Sequence, residues 1–235
     1  MRRSCSWSTC SPSSVLRLRS AIAALALCGL AGCGSGSSDG GPSARQLALE
    51  RSQFVQVSSG LAAALGAVQA EVAASRGAWP EVASGLPASP SPALRGAVTH
   101  ASIKAGAIKV PPFLAEPRSL TGPAAGIAGL YQSYERLVPR SWSLVSAALS
   151  AIATAPPAAA QYARANSSFY IDALYDGHFN LSLVGKSVLA GYEKLGGAPA
   201  FGSQLPAARV AGLAAAYSIP SVRLEPHPAG AAKEG

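Results

Sequence analysis

The chain has 235 residues, enough for one or two ordinary domains. With 49% apolar residues it can bury a sizeable core, which excludes global disorder. The formal charge of +8 overstates its basic character: Arg2, Arg3, Arg17 and Arg19 fall in the first 32 residues, which hold no acid, and the remainder carries 15 basic and 11 acidic residues, net +4. Those bases form no dense run, so the chain lacks the electrostatic footprint of a nucleic-acid-binding protein. All four cysteines, Cys5, Cys10, Cys28 and Cys33, lie at or before residue 33, which argues against a disulfide or zinc framework in the body.

The first element in chain order is a leader. Arg17 and Arg19 precede an apolar stretch of about ten residues from Ala21 to Leu30, the layout of a secretory signal and too short for a spanning helix of about 20 residues. It runs into Leu30-Ala31-Gly32-Cys33, which resembles the lipobox of bacterial lipoproteins. The resemblance implies diacylglyceryl modification of the Cys33 thiol, cleavage before it, and a mature protein anchored by two or three acyl chains, palmitate among them. Two or more chains hold a protein on a membrane stably, whereas one does so marginally. It also implies a location at the cell membrane or outer membrane, facing away from the cytoplasm. Arg2-Arg3 lacks the apolar continuation of a twin-arginine signal. The long Ser- and Cys-rich start is compatible with initiation near Val15 or Leu16. On this reading residues 1–32 are a signal peptide, and 33–42 a lipidated cysteine with a flexible Gly/Ser tether.

Residues 43–219 read as an all-α domain, an antiparallel bundle of three long and two short helices. Ser43 caps a first helix of about 33 residues with Phe54, Ser58, Leu61, Leu65, Val68 and Val72 on one stripe, stopped by Gly77 and Pro80. A short helix follows over about 92–108. A long one starts at Thr121-Gly122-Pro123 and runs to Thr154 with a kink or break at Pro139. Another occupies about 158–195, with a break expected near Asp176-Gly177 and a stop at Gly196-Gly197. The last spans about 204–218 from a Ser203 cap, and residues 220–235 form a mobile tail.

Motifs that carry chemistry are few. Gly36-Ser37-Ser38-Asp39-Gly40 matches a nucleophile elbow but lies in the tether, without the flanking strand and helix that chemistry needs. Gly185-Lys186-Ser187 has Asn180 where a phosphate-binding loop requires its first glycine. His100 and His227 are isolated. The best polar cluster is Asp172, Asp176 and His178: carboxylates at i and i+4 share a helix face, and oxygen with imidazole suits several divalent metals. Tyr131, Tyr134, Tyr162 and Tyr170 are candidates for lining a polar-aromatic pocket between the two long C-terminal helices.

The sequence therefore predicts a non-catalytic, cofactor-free lipoprotein of the cell envelope, acting through protein or surface contacts and held to the membrane through Cys33. The alternative is a lipoprotein binding a small molecule or metal at Asp172, Asp176, His178, Tyr131, Tyr134 and Tyr170.

Overall fold

The structure, a computed structural model, describes residues 42–109, 111 and 119–218. The leader, Cys33, the tether and the tail from 220 onward lie outside the described residues. Those described form six helices and no strand. They are α1 (Ala44–Val82), α2 (Pro92–Gly106), α3 (Gly122–Thr154), α4 (Pro157–Lys194), α5 (Gly197–Phe201) and α6 (Ala207–Tyr217). The chain is all-α, as the helical spacing predicts.

Helix starts follow local chemistry. The Ser43 hydroxyl accepts from the Gln46 N–H at 3.2 Å, and the Ser91 hydroxyl from Leu94 N–H at 3.0 Å, each satisfying an otherwise orphaned first-turn donor. Pro92, Pro123 and Pro157 sit in the first turns of α2, α3 and α4, where a missing N–H costs nothing. Thr121, ahead of α3, makes no cap of its own. Instead Gln53 of α1 accepts from its N–H at 3.0 Å and its hydroxyl at 2.9 Å, and donates to the Ser119 carbonyl at 3.0 Å. One buried amide thus fixes where α3 begins against α1.

Three expected interruptions are absent. Helix α1 continues through Gly77 and Pro80 to Val82, 39 residues in all, and α3 is one continuous helix across Pro139. An interior proline costs about 3 kcal/mol. In both helices large residues beyond it are driven into the core: Val82 after Pro80, and Trp142 and Val145 after Pro139. Fully burying one such side chain contributes about 1.5–3 kcal/mol, so the two beyond Pro139 offset that proline, while Val82 offsets part of the cost of Pro80, which stands only two residues from the end of α1. Helix α4 passes without a break through Gly177, because that glycine serves packing: a Cβ there would meet Val138 Cγ2 at 2.6 Å. Near the C-terminal end the structure adds the short α5 to the five helices the sequence predicts, and α6 starts at Ala207 behind Pro206, not at a Ser203 cap.

Helices α1 and α3 point the same way, joined through the short α2, and α4 runs antiparallel to both. Gln53 bonds Thr121 and Glu71 reaches Trp142 on α3, while Arg51 bonds Leu195 and Glu71 reaches His178 on α4. The Arg51 Nε–H donates to the Leu195 carbonyl at 2.9 Å, closing the C-terminal end of α4 with a cation where the helix dipole favours one. Helix α6 packs on α4, while Tyr192 of α4 donates to the carbonyl of Leu205, in the turn ahead of α6, at 3.1 Å, and α6 reaches α1, where Tyr217 donates to the Leu61 carbonyl at 2.7 Å. By length and composition α1 is apolar enough to cross a membrane, but half of that apolar window is buried in the bundle, as befits a central core helix.

Gly185 is where α4 and α6 come closest: a Cβ there would meet the Ala214 carbonyl oxygen and Ser218 Oγ, and would stand 2.9 Å from Ser218 N. Gly66, on the exposed side of α1, has open space around it. Gly185→Ala is therefore expected to lower the unfolding free energy by about 1–3 kcal/mol through overpacking. Gly66→Ala is expected to raise it by about 1 kcal/mol through helix propensity. Urea denaturation of the two variants checks both signs.

Candidate functional site

Among the described residues a polar constellation lies inside the bundle, centred on Glu71, a carboxylate not among the sequence-derived candidates. Glu71 of α1 has 0% exposure and His178 of α4 only 2%. An unpaired charge so placed costs several kcal/mol, so its partners define the site. Glu71 Oε2 accepts from the Tyr134 hydroxyl at 2.6 Å. Oε1 accepts from the Ser75 hydroxyl, from the Trp142 indole N–H at 3.3 Å and from His178 Nε2 at 3.2 Å. Trp142 also donates to Ser75 Oγ at 2.8 Å. The three long helices all contribute: Glu71 and Ser75 from α1, Tyr134 and Trp142 from α3, His178 from α4.

Local spacing puts them there. Glu71 and Ser75 are i and i+4 on the face of α1 that carries Val68, Ala78 and Val82, so the serine hydroxyl lies one turn from the carboxylate. Val138 stands one turn beyond Tyr134 and one turn before Trp142, on the buried face of α3. His178 lies between Leu174 and Leu181 on the inner face of α4, and its ring stands edge-on to Tyr134 at 5.9 Å between centroids.

The protonation state follows from the donors. His178 Nδ1 is 2.8 Å from the Leu174 carbonyl, which can only accept, so Nδ1 carries a proton. Nε2 faces a carboxylate oxygen already receiving a hydroxyl and an indole N–H, an environment that favours the ionised acid. Burial pushes Glu71 up, but the hydrogen bond and charge of His178, then the hydroxyls of Ser75 and Tyr134, hold it below the usual carboxylate range. Burial pushes His178 down, and the Glu71 hydrogen bond and charge, with the Leu174 carbonyl, raise it above the usual imidazole value. The pair is an imidazolium–carboxylate ion pair closed off from water. Burial and the adjacent Glu71 charge push the Tyr134 phenol up, so it stays a donor.

The sequence-derived candidates separate. Tyr134 and His178 join the buried network. Tyr131 is also fully buried; its ring lies 6.0 Å from Tyr134 and 6.4 Å from Tyr217, its hydroxyl has no hydrogen-bond partner among the described residues, and burial with the Glu135 charge pushes it up to about 12. Tyr170 is half-buried at the margin of the core, and Tyr162 is 73% exposed. Asp172 and Asp176 are exposed on the outer face of α4, which turns about 100° per residue and so points His178 inward. These three side chains do not form a metal centre: among the described residues no group of three or more His, Cys, Asp or Glu is placed to hold a metal ion. Gly185-Lys186-Ser187 is helical, with Gly185 against α6, and not a phosphate-binding loop.

Glu71 was legible in principle: it is an acid on the buried side of a periodic apolar helix, and such a charge must find donors. Its principal partner, however, lies 107 positions away, beyond any local pattern. No protein-family model matches the chain, and neither does any curated protein or solved structure.

The two shifts act on stability in opposite directions of pH. The depressed Glu71 contributes stability that is complete above its unfolded value of 4.5 and lost as pH falls through its lower folded value. The raised His178 contributes stability that is complete below 6.5 and lost as pH rises through its higher folded value. The pair's contribution is therefore greatest between 4.5 and 6.5 and declines on the alkaline side. Glu71→Gln leaves a buried imidazole without its counter-ion and should cost about 3–5 kcal/mol. It should also remove the alkaline decline. Thermal unfolding followed by circular dichroism from about pH 4 to about pH 9 reads both.

Proposed function

We propose that the protein is a lipid-anchored, non-catalytic component of a bacterial cell envelope that acts through contacts with other proteins. The observation that carries this reading is Leu30-Ala31-Gly32-Cys33 placed directly after a basic start and an apolar stretch. Residues 34–43 then separate Cys33 from the first residue of α1. A flexible Gly/Ser segment of that length has a root-mean-square reach of about 17 Å, so the helical body would work close to the membrane surface.

The interior supports a scaffold role over a catalytic one. Among the described residues its buried acid and base, Glu71 and His178, are paired with each other and closed to solvent, and the Ser75, Tyr134 and Trp142 groups facing them are hydrogen-bonded to Glu71. A general acid or base must reach a substrate proton within hydrogen-bond distance, and this pair faces only its own helices. Its effect is to hold α1, α3 and α4 in one relation and so present a fixed outer surface.

Cys33→Ser removes the thiol on which the thioether would form. Metabolic labelling with palmitate and membrane fractionation should show loss of label and release from the membrane pellet. Unchanged labelling and retention would refute the anchor.

A further inference from the structure

Helix α4 has two stripes at heptad spacing. The inner one, Ile171, Leu174, His178, Leu181, Gly185 and Val188, is buried. The outer one, Tyr162, Ala165, Phe169, Asp172, Asp176, Phe179 and Leu183, recurs at the same alternation of three and four, the spacing of a helix–helix seam. Yet Tyr162, Phe169 and Phe179 are 73%, 55% and 50% exposed. Tyr175 lies beside Phe179 with its ring stacked at 6.3 Å, widening the apolar band. Scattered single apolar side chains on a surface are ordinary; an aligned, rimmed series marks an interaction site.

We propose that the outer seam of α4, from Tyr162 to Leu183, is a docking surface for a helix of a partner protein whose own seam is apolar except for two adjacent central lysines or arginines. The chemistry of the seam selects this occupant. Asp172 and Asp176 stand one turn apart in its middle, and neither makes an ion pair among the described residues. Partial burial and the Asp172 charge push Asp176 up, as expected of a carboxylate with no cation beside it. Phe169 lies one turn before the acids and Phe179 one turn after, so a complementary helix would bury aromatic contacts around two ion pairs. The seam is about 32 Å long, the length of an ordinary docking helix.

The other occupants fit less well. A second copy paired through this face, parallel in register or antiparallel about residue 174, would set acids against acids, and like charges at a seam are repulsive. An anionic bilayer surface would repel the same pair. Helix α1 starts beside the C-terminal end of α4, where Arg51 meets Leu195, and Phe169 is 26 positions, about 39 Å, from that end. This inference rests on the lipoprotein reading for the identity of the partner as another envelope protein, and on the α4 geometry alone for the surface.

The test uses the purified full-length protein in a mild non-ionic detergent and two fluorescent helical peptides of about 21 residues, matching the seam. Both have leucine at the seam positions; one has lysine at the two central seam positions, the other glutamate. Fluorescence anisotropy should show the lysine peptide binding at least about tenfold more tightly. Asp172→Asn with Asp176→Asn should abolish the preference. Phe169→Ser with Phe179→Ser should weaken binding of the lysine peptide about tenfold or more. These side chains are exposed, so circular dichroism should be unchanged in every variant. Equal binding of the two peptides, or a preference that survives the asparagine pair, would overturn the proposal. So would loss of self-association, or of binding to phosphatidylglycerol vesicles, in the serine pair, because either assigns the face to another occupant. Membrane retention on Cys33→Ser with peptide selectivity intact would remove the anchor and leave the surface standing.

Discussion

The bundle is organised around one buried carboxylate. Taking Glu71 out of water is unfavourable by several kcal/mol, and only a full set of donors offsets that. The set comes from all three long helices: Ser75 one turn away on α1, Tyr134 and Trp142 on α3, His178 on α4. Apolar contacts between alanine-rich helices are forgiving of small slides and rotations. A carboxylate that must meet a phenol, an indole, a hydroxyl and an imidazolium at hydrogen-bond distance is not. The network therefore sets the register of α1, α3 and α4, as polar groups do at single seam positions of coiled coils. Gln53 does the same at the other end of α1, holding the start of α3 through Thr121 and Ser119.

With register fixed, close approach becomes useful. Gly177 lets α4 lie against Val138, and Gly185 lets α6 lie against α4. Small residues at such positions give no energy of their own; they allow neighbours to gain dispersion contacts. This is how a chain with 6% aromatics still builds a core, into which it places eight of its rings, Phe54, Trp79, Tyr131, Tyr134, Trp142, Tyr192, Phe201 and Tyr217.

Much of the architecture is legible in the sequence, because capping serines, first-turn prolines and apolar stripes act locally. Ser43 and Pro123 mark helix starts where the structure has them, whereas Ser203 does not cap α6. The expected breaks at Pro80, Pro139 and Gly177 fail for one reason. Each residue weakens its own helix, but the loss is offset by burial against other elements: of Val82 and Trp142 in the core, and of Gly177 against Val138. Asp172, Asp176 and His178 look like one cluster because they are close in sequence. About half a helical turn separates Asp176 from His178, sending the acids outward and the histidine to Glu71. The inward and outward seams of α4 thus divide the labour, one specifying the fold and the other offering a surface.

The central claim is that His178 is a buried imidazolium whose charge is held by Glu71. Nitrogen-15 NMR of the imidazole ring at neutral pH tests it most directly. A buried imidazolium there carries protons on both ring nitrogens, and neither exchanges rapidly with solvent. A ring with one unprotonated nitrogen at that pH would contradict it.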